Sequence, residues 1–240
     1  MQNIWSNDYT LRANDFDKYD HILPSSVLSI FQDAAGRHGE EIGVGFNDML
    51  ERNYLWVIVR VKYEVKKAPK RYQKVTIKTW PFEPKRFSYR REYLIIDESG
   101  ETLIIGSSEW VIIDSVKRSL VSAPNLYNVN GEYYEEMLID KKIGKVPDFE
   151  AEGAPHTVTP AFTELDLNNH VNNTKYANYV LDAINPQEND VVKSFQIDYR
   201  KEVLQGSPLE IFYKRQEDGI LAKGLNTEGD IMFACKLEME

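Results

Sequence analysis

The sequence predicts an α+β protein assembled from two tandem copies of one unit, a helix followed by an antiparallel meander. Residues 24–42 and 174–184 carry apolar side chains at helical spacing, each is followed by runs of alternating apolar residues, and two stretches of one half overlay two of the other, each without gaps. A helix with one apolar face must cover a sheet with one apolar face, which gives two helix-on-sheet layers.

The first helix, "PSSVLSIFQDAAGRHGEEI", opens on Pro24 and Ser25. It sets Val27, Phe31, Ala34, Ala35, His38 and Ile42 on one face, and Gly36 and Gly39 offer small surface for close packing. From Trp56 the period becomes two, through Val57, Val59, Val61, Tyr63 and Val65 and then Val75, Ile77 and Thr79. Strands over 87–97 and 102–114 follow, separated by the turn sequence "DESGE". In the second half Asn173 is the expected N-cap of "TKYANYVLDAI", with Tyr176, Val180, Ala183 and Ile184 on one face. Strands near 191–201, 208–216, 219–226 and 230–238 complete that copy.

The overlay of "DFDKYDHILPSSVLSIFQDA" on "ELDLNNHVNNTKYANYVLDA" pairs Asp17 with Asp166 and His21 with His170, an offset of 149. A second overlay pairs Tyr63 with Tyr199 at an offset of 136, which leaves the first copy a longer connection at 40–53. The expected repeats are therefore residues 1–139 and 157–240, joined by a polar linker at 140–156.

Composition narrows the function. A hydrophobic share of 42%, 12% of the chain being aromatic, is ample for a packed core in 240 residues. The N-terminus lacks a basic start followed by an apolar run, and no stretch nears the roughly twenty apolar residues that span a bilayer, so a cytoplasmic protein is expected. Cys235 is the one cysteine, which excludes an internal disulfide, and it shares the alternation of core residues Ile231, Phe233 and Leu237. A net charge of −9 argues against a nucleic-acid partner. Two stretches, "KYEVKKAPKRYQK" and "PKRFSYRR", still concentrate basic residues, among them Lys66, Lys70, Arg71, Arg86 and Arg90. They read either as a local surface for an acidic partner or as solvated strand ends. The four histidines lie far apart, and HExxH, paired CxxC, GxSxG and GxxxxGK[ST] are all missing. No metal or cofactor is expected.

The stretch "ELDLNNHVNN" is rich enough in Asn to be a turn, yet it gathers a carboxylate, an amide and an imidazole in Asp166, Asn168 and His170. Each residue taken singly has a structural reading: a turn former, a partly buried histidine, and for Glu202 a solvated strand residue. The overlay sets Tyr19 opposite Asn168 and Lys66 opposite Glu202, so one copy alone assembles the full set.

The stretches "GVGFNDMLERNYLWVIVRVKYEV", "VTIKTWP", "YRREYLIIDESGE" and "SSEWVIIDSVKRSLVSAP", then "DLNNHVNNTKYANYVLDAI" and "DYRKEV", resemble in order and spacing the acyl-acyl carrier protein thioesterases of plants and bacteria. The resemblance covers nearly the whole chain. It implies a double hotdog, with active-site residues Asp166, Asn168, His170 and Glu202 in the second repeat. It further implies an acyl pocket mostly in the first repeat, for which Phe31, Ala35, Trp56, Val57 and Val59 are the candidates. Where plant members carry a cysteine proposed as nucleophile, this chain has Val203, so the expected chemistry is attack by an activated water. The implied partner is acyl carrier protein, met through its acyl-phosphopantetheine arm and the basic stretches, and the family suggests a homodimer. An acyl-CoA thioesterase and a non-catalytic acyl-thioester sensor are the alternatives.

Overall fold

The computed structural model describes residues 3–123, 125–126, 133–139 and 142–240. The chain forms two units, Met1–Asp15 with Ser29–Ile143, and Phe16–Leu28 with Gly144–Glu240. The expected repeat limits at residues 1 and 140 lie outside the described residues.

In the first unit the strands β1 (Trp5–Thr10), β2 (Tyr54–Val65), β3 (Lys74–Pro81), β4 (Tyr89–Asp97) and β5 (Thr102–Asp114) run in the order β1-β3-β4-β5-β2, and the short β6 (Leu120–Val121) pairs with β5. Every pairing is antiparallel. Helix α1 (Pro24–Glu41) lies on this sheet from Ser29 onward, and a second helix, α2 (Phe46–Glu51), occupies the longer connection expected at 40–53. The second unit repeats the plan with β7 (His156–Val158), helix α3 (Lys175–Ile184), β8 (Val192–Tyr199), β9 (Leu209–Gln216), β10 (Gly219–Leu225) and β11 (Ile231–Met239). Its order is β7-β9-β10-β11-β8, that of the first unit strand for strand. This is the double hotdog. Among the described residues no helix is long and apolar enough to cross a membrane.

Close packing sets how each helix seats. In the first unit Phe31 of α1 stacks on Tyr93 at 4.2 Å between ring centroids and meets Tyr63 edge-on at 6.4 Å. It reaches them over Gly106 of β5, where an added Cβ would stand 2.1 Å from the Phe31 ring. In the second unit Tyr176 of α3 takes the corresponding part, edge-on to Tyr199 and Phe233 at 5.7 and 5.1 Å.

The strand registers fix the correspondence between repeats. Tyr63 pairs with Gly106 and Ile197 with Cys235; Ile77 pairs with Ile95 and Ile211 with Gly224; Asn7 pairs with Ile77 and His156 with Ile211. With β1 set on β7 at the offset of 149 that the turns share, these pairs carry β2 onto β8 at an offset of 134, so Tyr63 answers to Ile197, and not to Tyr199 as the overlay had it. A shift of two residues keeps every side chain on its own face, so alternation alone does not detect it. The offset holds past the strand, because the Tyr72 N–H donates to Leu11 O at 2.8 Å as the Gly206 N–H does to Pro160 O at 2.9 Å. The counterpart of Glu202 is accordingly Ala68 rather than Lys66.

A bulge between Ile58 and Arg60 also breaks the expected alternation of β2. It switches parity, so Trp56 shares a face with Val61 and Tyr63, and Val57 faces the other way. The polar stretch read as a linker is tied down. Ile143 and Val146 are buried, Arg60 donates to Ile143 O, the Val146 N–H donates to Asp198, and Lys223 holds Asp148 and the Phe149 carbonyl.

His38 on α1 is buried with its Nδ1 3.0 Å from a guanidinium nitrogen of Arg91. Burial first, and the Arg91 charge second, push its pKa down to about 3 from 6.5. The imidazole is neutral in the fold and takes a proton more readily in the unfolded chain. Its contribution is therefore whole above pH 6.5 and drains as pH falls toward 3, by up to about 1 kcal/mol per pH unit. Wild type should lose denaturant resistance between pH 6.5 and 4.5, and His38→Gln, which still offers Arg91 an acceptor, should show a flatter profile over that interval.

Candidate active site

The site grows out of a turn present in both repeats. The Asp17 carboxylate accepts the N–H groups of Tyr19 and His21 at 2.8 and 2.9 Å, and the Asp17 N–H donates to His21 O at 2.8 Å. Asp166 does the same for Asn168 and His170, at 2.8 and 3.2 Å, and donates to His170 O at 2.8 Å. The fourth residue of each turn has positive φ, 70° at Asp20 and 62° at Asn169, a region Asp and Asn tolerate. One turn upstream Asp15 accepts from the Arg12 N–H and Glu164 from the Ala161 N–H. The role of Asp166 as turn former is thus built in, and it aims the histidine four residues on.

The repeats then diverge. His21 leans back, its Nδ1 3.7 Å from Asp17. His170 instead places Nε2 3.3 Å from the Glu202 carboxylate, with side-chain exposures of 23% and 42% that leave the pair open to solvent. The segment carrying Glu202 is stitched beneath the turn: the Val171 N–H donates to Val203 O at 2.8 Å and His170 forms an antiparallel bridge with Leu204. Tyr176, buried on α3, lies beside the same segment, near the Val203 backbone. Burial pushes its phenol well above the ordinary range, and the nearby carboxylates of Asp166 and Glu202 push the same way. Tyr176 therefore lies near both carboxylates, a proximity its helix-face spacing in the sequence did not reveal.

Asn168 is exposed, and its side-chain amide makes no hydrogen bond among the described residues. The N-cap of α3 is Thr174 and not Asn173. Asn172 accepts both the Thr174 N–H and its hydroxyl, and Asn173 O accepts the Tyr199 hydroxyl at 2.9 Å. Val203 is buried, and Cys235 is sealed in β11 with its thiol pushed well above the usual range by burial and then by Asp198. Such a thiol stays protonated and is a poor nucleophile.

In the first unit Phe31 is core, Ala35 is half-buried, and Trp56 packs edge-on to Tyr89 and Trp110 while donating to Val44 O. Val57 and Val59 are half-buried. Lys66, Lys70, Arg71 and Arg86 are exposed. Arg90 turns inward, to the buried Glu92 at 2.7 Å, Ser107 at 3.1 Å and Ile139 O at 2.8 Å.

Two hotdog repeats with an imidazole–carboxylate pair grown from the turn of the second define a class of two-repeat hotdog proteins that keep one copy of the site. Family profiles narrow it: that of the acyl-ACP thioesterase N-terminal domain matches residues 2–129 and that of the C-terminal domain residues 146–235. The chain belongs to the acyl-ACP thioesterase family. It is 28% identical over 224 residues to the chloroplastic palmitoyl-acyl carrier protein thioesterase of Arabidopsis thaliana, an alignment covering 86% of this chain and 54% of that protein. It is likewise 28% identical to a dodecanoyl-[acyl-carrier-protein] hydrolase of Umbellularia californica, over 86% of this chain and 58% of the relative. The chain spans about half the length of the first of these relatives. Its fold is that of an acyl-ACP thioesterase from Bacteroides thetaiotaomicron, with a TM-score of 0.88 at 21% identity over 99% of this chain and 98% of the other.

The twin turns supply a test of scaffold energy. Asp17→Ala and Asp166→Ala each strand two backbone N–H groups, and both should lower unfolding stability by about 1–3 kcal/mol in denaturant titration.

Proposed function

We propose that the protein hydrolyses the thioester of fatty acyl-acyl carrier protein, releasing free fatty acid and carrier by direct attack of water. The observation that carries this reading is the solvent-open contact of 3.3 Å between His170 Nε2 and Glu202, a carboxylate whose counterpart in the other repeat's sequence is Ala68.

A thiolate leaves readily, its conjugate acid having a pKa near 8.5, so the demanding step is the attack. Water bound against the pair gives a proton to it as its oxygen bonds to the thioester carbonyl carbon. The carbonyl π electrons move to oxygen, and the exposed Asn168 amide, without a hydrogen bond among the described residues, is the proposed donor to that developing oxyanion. Collapse breaks the carbon–sulfur bond, and the proton held by the pair passes to sulfur. Asp166 keeps the His170 backbone in place, and the Val171–Val203 bond does so for the segment of Glu202. No step uses a cysteine. Acyl length is read in the first repeat by the face of β2 that holds Trp56 and by α1 at Phe31 and Ala35, and the exposed Lys66, Lys70, Arg71 and Arg86 attract the acidic carrier.

Acyl-carrier and acyl-CoA thioesters of graded length, scored for free thiol and free acid, test the reading. The carrier-linked substrate should have the higher kcat/KM; equality removes the carrier, and no turnover of any thioester favours a sensor. His170→Ala and Glu202→Ala should each lower kcat by about 10²–10⁴, and the double variant by much less than the product, because the two act as one unit. Asp166→Ala should lose activity and Asp17→Ala should keep it, at matched cost in stability. Ala35→Leu should shorten the preferred chain, whereas Val57→Ala, on the opposite face of β2, should leave the length profile unchanged.

A further inference from the structure

The two repeats act as each other's control at the surface as well. Phe162, Leu167 and Leu204 are large apolar residues with exposures of 76%, 83% and 54%. Their counterparts, at the offsets of 149 and 134 that the turns and registers fix, are Ala13, Lys18 and Lys70, all exposed. At three matching solvent positions the first repeat is small or charged, and the second is bulky and apolar. Main-chain bonds gather the three segments around the His170–Glu202 pair. Gly206 donates to Pro160 O at 2.9 Å beside Phe162, Asn172 donates to Glu164 O at 2.8 Å, and Leu204 bridges His170 directly.

We propose that Phe162, Leu167 and Leu204 form an apolar rim on which the protein surface of the acyl carrier docks while its thioester reaches His170 and Glu202. This rests on the hydrolase reading above. The position of the rim makes the argument, since whatever bears the thioester sulfur must lie over the residues that border the pair. Coenzyme A would bring a phosphorylated nucleotide, which gains little from three apolar side chains, whereas a protein carrier brings apolar surface of its own. The exposed Arg200 and Lys201, paired with Asp198 at 4.0 Å and Asp230 at 2.6 Å, follow β8 next to Glu202 and have further N–H donors for an acidic protein around that apolar centre.

The test is the triple variant Phe162→Ser, Leu167→Asn, Leu204→Ser, compared with wild type in the full chain. The first readout is affinity for a carrier whose acyl group is joined through an amide, so that it binds without being cleaved. The second is kcat/KM on the same acyl group joined to N-acetylcysteamine, which has no protein to dock. Carrier affinity should fall tenfold or more, while kcat/KM on the small thioester stays within twofold and thermal stability is unchanged. Retained carrier affinity, or an equal fall on the small thioester, would overturn the rim. So would a change of molar mass by light scattering, which would make these residues a contact between copies of this chain. Rim-dependent carrier binding by a wild type that cleaves no thioester would instead remove the hydrolase reading and leave the rim standing.

Discussion

A carboxylate bonded to two backbone N–H groups is the constraint on which the rest depends. Asp17 and Asp166 each close a five-residue turn, and each turn delivers a histidine to the same place in its repeat. Such a bond trades solvation for geometry. The charged acceptor contributes about 1.5–3 kcal/mol in a favourable hydrogen bond, and it leaves the donor no second arrangement. Because the bonds go to the main chain, the identity of the residues between is free. Tyr19 can stand where Asn168 does, and Lys18 where Leu167 does, without the turn changing shape. Duplication preserved the frame and released its contents, which is how one copy kept a structural histidine and the other aims His170 at a partner.

The partner is held by a different means. Glu202 follows β8 on an irregular segment, where a free strand end would fray, and two main-chain contacts prevent it, the Val171–Val203 bond and the bridge from His170 to Leu204, with Tyr176 of α3 close beside. Tyr176 is itself fixed by aromatic edges from Tyr179, Tyr199 and Phe233. The core of the second repeat thus reaches to within one residue of the site. A change in that aromatic cluster would be felt at Glu202 through the backbone and not through any side-chain contact with substrate.

Much of this was legible in the sequence and some was not, for physical reasons. Period and small residues located α1, β2 to β5, β8 to β11 and the duplication but not the short β6 and β7 or the polar β1, and the polar content of 164–173 marked the candidate site. Alternation has no power over shifts of two, so the overlay put Tyr199 on Tyr63 when the ladder puts Val65 there, and Lys66 stood in for Ala68. A bulge leaves no apolar signature, so Val57 was assigned the face that Trp56 holds. The helix α2 is six residues long, too short for a periodic signal, and its N-cap, Gly45, makes no side-chain cap hydrogen bond. At α3 three consecutive polar residues all qualified as cap. The choice of Thr174 goes with Asn172 turning its oxygen forward onto the Thr174 N–H and hydroxyl, a local turn that the three residue types do not by themselves select. Arg90 read as surface charge because Glu92, its partner two residues on, sits in an alternating strand whose inward face is elsewhere apolar.

The openness of the His170–Glu202 pair fits the thioester hydrolysis proposed for it. Amide cleavage demands strong leaving-group assistance, and enzymes that perform it often build a buried triad around an activated nucleophile. A thioester carries its own good leaving group and needs a water oriented and deprotonated, which a half-exposed imidazole against a carboxylate supplies at small desolvation cost. Such a pair offers little discrimination by itself, since it meets only the few atoms common to every thioester. Selectivity has to come from surfaces that touch the rest of the substrate, the acyl chain on one side of the carbonyl and the carrier on the other. The second repeat differs from the first in that sense twice over. It assembles the polar pair, and around that pair it replaces Ala13, Lys18 and Lys70 with Phe162, Leu167 and Leu204. A turn conserved for its backbone bonds left those solvent positions free to vary, so the two changes need no change of frame.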